Sequence, residues 1–164
     1  MNKVFQTIVD PGKGNCMQAV VASLLEEKLE NVPNFISHHD WFEVMESYFD
    51  EKGYEYNGVL WNKKWNQLSN PCDGVFKEQK YLDELLLCSL SKEEGVNGLF
   101  FGTVCSPAYF TWSDPKYHAV VIDKDFNIVF DPNPNYYNKV ISYPLSEVIG
   151  YNGITDVFLF NPKK

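Results

Sequence analysis

The sequence contains no arginine and only three histidines, so few side chains are available for anion recognition or proton transfer. All 14 basic residues are lysine, against 22 acidic residues, and the formal net charge is −8 at pH 7. A protein that binds duplex DNA or RNA needs a basic face to neutralise the phosphate backbone. We therefore predict that no nucleic-acid duplex is a partner. The guanidinium fork that commonly binds phosphates and carboxylates is also missing.

Patterns typical of metal sites and of membrane spans are absent as well. The four cysteines form no CxxC pair and their spacing does not match a zinc site, so we predict no metal and no cofactor. No apolar run approaches the roughly 18–20 residues of a transmembrane helix, and Met1–Gln6 does not resemble a signal peptide. We expect a cytoplasmic protein with free thiols and no membrane contact.

The order of helical and strand patterns predicts the fold class. The length of 164 residues, with 45% hydrophobic residues, suits one domain over 1–164. Apolar spacing predicts helices over 16–28, 41–51 and 80–89, with Asp40 as N-cap of the second and Gly53 as its stop. Strands are predicted over 54–60, 98–105, 118–123, 127–131 and 155–161. N-terminal helices followed by an antiparallel sheet indicate an α+β fold.

Cys16 is the best candidate for a nucleophile because it follows a glycine-containing loop and opens an apolar helix. Unpaired N–H groups and the positive end of the helix dipole favour the reactive thiolate. A helix start also exposes the sulfur, and the backbone N–H of Cys16 can help to bind an oxyanion. The alternative is an ordinary N-terminal helix residue with no chemical role.

His118 is the candidate base, with Asp131 to orient it. If 124–125 form a two-residue hairpin turn, residue 118 lies directly opposite residue 131. A carboxylate in that position fixes the imidazole tautomer. A register shift of two would place Asn133 there instead. The adjacent histidines at 38–39 lack such an orienting acid, so an early cysteine and a late histidine and aspartate form the predicted triad.

These residues lie in two blocks that resemble a known group of proteins. The first block is GNCMQA at 14–19, ASLL at 22–25 and VPNF at 32–35, and the second is SP at 106–107, HAVV at 118–121 and DPNP at 131–134. Together they resemble a group of small phage and bacterial papain-like proteins, many of which are functionally uncharacterised. The resemblance implies a papain-like fold, with Cys16 as nucleophile, His118 as base and Asp131 as orienter. It also suggests a phage source, and for a phage-encoded protein the expected location is the cytoplasm of the host cell.

The resemblance also implies a polar side chain that completes the oxyanion hole ahead of the nucleophile. Gln6 is the obvious match, with Asn15 and Gln18 as competitors. The segments 62–80 and 107–116 are expected to wall the substrate cleft. The predicted substrate-binding residues are Trp61, Trp65, Ser106, Trp112 and Asn133.

Three functions compete at this point. The first is a thiol hydrolase or transferase that acts on an amide, isopeptide or thioester of a small-molecule or peptide-like substrate. The second is a phage counter-defence protein that cleaves or sequesters a cyclic nucleotide immune signal, with aromatic side chains stacked on the bases. The third is an inactive binding protein on the same scaffold, which predicts that Cys16 is buried or has an ordinary pKa.

Overall fold

The computed structural model describes residues 1–10, 13–61, 89–105, 117–134, 143–144 and 154–164. The described helices are α1 (Cys16–Leu24) and α2 (Trp41–Glu51), with short 3₁₀ turns at Leu29–Asn31 and Phe35–Ser37 between them. The described strands are β1 (Tyr54–Trp61), β2 (Leu99–Cys105), β3 (Tyr117–Asp123), β4 (Asn127–Phe130), β5 (Tyr143–Pro144) and β6 (Ile154–Pro162). The predicted α+β class is confirmed, whereas the helix predicted over 80–89 lies outside the described residues except for its last position.

The strands form one antiparallel sheet in the order β1-β6-β2-β3-β4-β5. Strand alternation gives the sheet two apolar faces. One face packs against α1 and α2, and its closest ring contact is the stack of Phe49 on Phe160, with centroids 3.8 Å apart. The other face is built from residues such as Val104, Val120 and Ile122. None of the helices in the described part of the chain has the length and apolar character that a membrane crossing needs.

The first helix is shorter than the apolar pattern predicts. It ends at Leu24, because Glu26 adopts a left-handed φ of 58° and the Glu27 N–H donates to the Ala22 carbonyl at 2.9 Å. This 6→1 bond is the signature of a Schellman termination, in which the left-handed residue is usually glycine. The pattern could not indicate this ending, since no glycine marks it. The second helix has the predicted bounds, although Asp40 makes no side-chain capping bond.

The hairpin between β3 and β4 differs from the predicted two-residue turn. The Phe126 N–H donates to the Asp123 carbonyl at 3.0 Å, and Phe126 is buried with a φ of 62°. The Asp123 carboxylate also accepts the N–H groups of Asp125 and Asn127, each at 2.9 Å. A turn closed by a left-handed residue adds a position to the loop. The strands therefore pair as Ile122 with Ile128, and the predicted register of 118 opposite 131 is wrong.

Candidate active site

Asn15 holds the start of α1 against the N-terminal segment of the chain. Its Oδ1 accepts the N–H groups of Thr7 and Ile8 at 3.0 and 2.9 Å, and its Nδ2 donates to Gln18 Oε1 at 2.9 Å and to Thr7 Oγ1 at 3.1 Å. Gln18 Nε2 in turn donates to the carbonyls of Leu29 and Val32. Both side-chain amides are thus engaged, that of Asn15 with the N-terminal segment and that of Gln18 with the segment after α1. The oxyanion role predicted for Asn15, or for Gln18 as its competitor, does not fit these hydrogen bonds.

Replacing Asn15 by alanine should lower the free energy of unfolding by about 2–4 kcal/mol. Asn15 is only 2% exposed, so the two backbone N–H groups that it satisfies would lose their acceptor in a partly buried place. Asn15→Asp keeps the acceptor oxygen and should cost less. Urea unfolding of both variants, beside the exposed control Asn2→Ala, checks the prediction. Equal stability of Asn15→Ala and the control would contradict it.

His118 and Asp131 form a direct hydrogen bond, with 2.8 Å between Nε2 and Oδ1. Asp131 is fully buried, and the same oxygen accepts the backbone N–H of Asn133 at 2.8 Å. The chain leaves β4 at Phe130 and turns at this point, so Asp131 reaches the ring from just beyond the strand rather than from a paired position. The predicted contact is therefore present although the register behind it is wrong. The carboxylate fixes the ring, because a hydrogen bond to Nε2 leaves Nδ1 for a second partner.

Cys16 is that second partner. Its sulfur forms a hydrogen bond with the His118 side chain and accepts the backbone N–H groups of Ala119 and Met17. Helix α1 supplies the cysteine, and β3 supplies both the histidine and the Ala119 N–H. Since Asp131 occupies Nε2, Nδ1 is the ring nitrogen left for the sulfur. The structure thus brings Cys16, His118 and Asp131 together in one chain of contacts.

The electrostatics of this chain favour a charged pair. Burial by itself raises the pKa of the Cys16 thiol, but the hydrogen bond and charge of His118, with the N–H groups of Ala119 and Met17, lower it below the ordinary value. Burial likewise opposes the charged imidazole, yet the bonds to Asp131 and Cys16 raise the pKa of His118 to about 10. The arrangement can therefore hold a thiolate beside an imidazolium near neutral pH.

The expectation that a helix start exposes the sulfur is wrong. Cys16 is only 7% exposed and belongs to the core cluster on the helix face of the sheet. Its neighbours in that cluster include Val20 and Ala119, because α1 lies directly on β3 and β2. The His118 side chain is 13% exposed. The pair therefore combines a low exposure with a lowered pKa at Cys16 and a raised pKa at His118.

Gln6 is buried close to the loop that precedes the nucleophile. Its backbone N–H donates to the Pro132 carbonyl at 3.0 Å, and its Nε2 donates to the Ile8 carbonyl at 2.9 Å. Its Oε1 has no hydrogen-bond partner among the described residues. A Cβ on Gly14 would lie 3.7 Å from Gln6 Nε2 and 3.1 Å from the Ile8 carbonyl, so only glycine fits easily there. The oxyanion role of Gln6 stays a prediction.

The predicted substrate residues fall into three groups. Trp61 lies at the end of the edge strand β1 and is 58% exposed. Asn133 is buried, and its backbone N–H is used by Asp131. Trp65, Ser106 and Trp112 lie outside the described residues. In the described part of the chain, no three His, Cys, Asp or Glu side chains are grouped to hold a metal ion.

A buried polar group on the central strands was not predicted from the sequence. Thr155 Oγ1 donates to Asp156 Oδ2 at 2.9 Å and lies 2.7 Å from Thr103 Oγ1. All three residues are at most 9% exposed. Two polar residues within the otherwise apolar strand pattern at 154–160 were the available signal.

Comparison with known proteins does not assign the chain to a family. No family model, no curated protein and no solved structure matches it. Any function must therefore be argued from the contacts of Cys16, His118 and Asp131 described above.

Proposed function

We propose that the chain is a papain-like thiol hydrolase or transferase that acts on an amide, isopeptide or thioester bond. The observation that carries the proposal is the position of His118, which contacts the Cys16 sulfur on one side and Asp131 on the other. A histidine held in this way can take the thiol proton and keep the resulting thiolate stable. The order of the residues along the chain and the two sequence blocks around them support the same reading.

The proposed reaction needs only these groups and water. The Cys16 thiolate attacks the substrate carbonyl carbon and forms a C–S bond, while the carbonyl electron pair moves onto oxygen. The imidazolium of His118 then gives its proton to the leaving amine or thiol as that bond breaks. Water, deprotonated by neutral His118, attacks the acyl-enzyme and releases the acid. In a transferase another nucleophile takes the place of water.

An inactive binding protein is the second candidate, because Cys16 is only 7% exposed. In that case Cys16 is an ordinary core residue, and the hydrogen bond with His118 only gives its buried sulfur a partner. The two candidates differ in the reactivity of the thiol. A catalytic Cys16 reacts with iodoacetamide faster than ordinary thiols near neutral pH, whereas a structural one reacts slowly.

Replacing Cys16 by alanine should lower the turnover rate by a factor of about 10³ or more. The measurement is release of aminocoumarin from peptide amides, of amine from isopeptide-linked peptides and of thiol from peptide thioesters. Cys88→Ala is the matched control, since it removes a different thiol outside the segments expected to wall the cleft and should retain activity. Peptide-resolved mass spectrometry after brief iodoacetamide treatment should show Cys16 labelled first. Undiminished turnover in Cys16→Ala, or slow labelling of Cys16, would refute the proposal.

A further inference from the structure

The register of the sheet places four residues in one row that leads to the nucleophile. Trp61 on β1 is paired with Asp156 on β6, Asp156 with Thr103 on β2, and Thr103 with Ala119 on β3. Directly paired residues point to the same face of a sheet. This is the helix face, because Ala119 packs there with Cys16. With strands about 4.8 Å apart, Asp156 lies about 10 Å from Ala119 along the row.

The two members of the row farthest from Ala119 carry a carboxyl group and an aromatic ring. Asp156 is 6% exposed, which is about the same exposure as that of Cys16, and its pair partner Trp61 is 58% exposed. Side chains of paired residues start about 5 Å apart, so the indole and the carboxyl are neighbours on this face of the sheet. An indole face and a carboxylate both attract a positive charge. The row therefore offers a cation an aromatic ring from β1 and a carboxylate from the neighbouring strand β6.

The Asp156 carboxylate has no cationic partner in the described part of the chain. Its side-chain bonds there come from the hydroxyls of Thr155 and Thr103. Burial raises the pKa of the Asp156 carboxyl, and these two hydroxyls only partly offset that rise. A buried carboxylate costs free energy unless a positive charge is near it. A ligand cation in the row would supply that charge.

We propose that Trp61, Asp156 and Thr103 form a recognition site for a positively charged group of the substrate, such as a primary or quaternary amine. The inference rests on the proposed function, since it assigns the cation to the substrate whose carbonyl Cys16 attacks. The spacing of roughly 10 Å between Asp156 and Ala119 along the row corresponds to about three extended residues between the reacting carbonyl and the amine of such a substrate. The specificity is for charge, so a neutral isostere of the amine binds more weakly.

Charged thiol-reactive reagents of equal size test this site without a known substrate. The Cys16 thiolate attacks the sulfenyl sulfur of an alkyl methanethiosulfonate, forms a mixed disulfide and releases methanesulfinate. The probes are the 6-(trimethylammonio)hexyl and 6-sulfonatohexyl reagents, whose extended chains place the charge roughly 9 Å from the reacting sulfur. The rate at Cys16 is read by peptide-resolved mass spectrometry of the full chain. The ratio of the cationic to the anionic rate should fall about 10-fold in Asp156→Asn. It should fall about 3-fold in Trp61→Leu.

The controls separate this site from the net negative charge of the chain. Asp125→Asn removes one exposed carboxylate in the β3–β4 turn and should change the ratio by less than about 2-fold. An unchanged ratio in Asp156→Asn, with Cys16 still reactive, would overturn the site but not the proposed function. If Cys16 fails to react with neutral iodoacetamide in the unaltered chain, the proposed function fails instead. Should Asp156→Asn lose its native circular dichroism, Trp61→Leu decides, because Trp61 is exposed at the sheet edge.

Discussion

Replacing His118 by alanine should slow the alkylation of Cys16 by iodoacetamide about 10²-fold at about pH 5.5. In the native chain, burial raises the pKa of the Cys16 thiol, and contact with His118 is the largest influence that lowers it. Without the imidazole, burial dominates and the thiol stays protonated far above this pH. The more basic thiolate of the variant is a better nucleophile, which offsets only part of the loss.

The pH profile of alkylation is the decisive measurement for this variant. The native rate should reach its plateau below the ordinary thiol pKa, because the pKa of Cys16 is lowered, and the pKa of His118, raised to about 10, keeps the ring charged. The profile of His118→Ala should move to higher pH, above the ordinary thiol range. His39→Ala is the matched control, since His39 is exposed ahead of α2. Coincident profiles for His118→Ala and the native chain would show that the ring does not activate the sulfur.

The Cys16–His118–Asp131 contacts could be predicted because each depends on a local rule. A glycine-containing loop before an apolar run indicates a helix start at Cys16, and alternating apolar residues indicate the two strands that carry His118 and precede Asp131. Asp131 needed no particular register, since it lies just beyond β4 and accepts both the His118 ring and the Asn133 N–H. The contact between His118 and Asp131 was therefore predicted although the predicted two-residue turn is wrong.

The features that could not be predicted depend on contacts between distant segments. The burial of Cys16 follows from the packing of α1 on β3, which no spacing in 14–28 reveals. Asn15 stands at the N-cap position, yet its side-chain oxygen accepts the N–H groups of Thr7 and Ile8 instead of a backbone N–H of the helix. The row from Trp61 to Ala119 needs the register of four strands, and one of them, β6, follows the others in sequence but lies between β1 and β2. A wrong register by one residue would have turned Asp156 to the other face.

Replacing Asp131 by alanine should lower the free energy of unfolding by about 3–5 kcal/mol near pH 7. Asp131 is fully buried, and its loss would leave the charged ring of His118 without its carboxylate and the Asn133 N–H without an acceptor. Asp131→Asn keeps an acceptor oxygen but not the charge, and should cost about 1–3 kcal/mol. Urea unfolding measures both variants. Asp125→Asn, exposed in the nearby turn, should stay within about 0.5 kcal/mol of the native chain.

A double-mutant cycle distinguishes a carboxylate that acts through His118 from one that merely supports the turn after β4. If the main cost of Asp131→Ala is a charged His118 ring without its carboxylate, then removing the ring as well makes the loss of the carboxylate less destabilising. The double variant with Asp131→Ala and His118→Ala should then be more stable than the sum of the single changes predicts, by about 1.5 kcal/mol or more. Additive changes in the free energy of unfolding would contradict this. They would show that the pairing of Asp131 with the ring contributes nothing to holding His118 in its charged form.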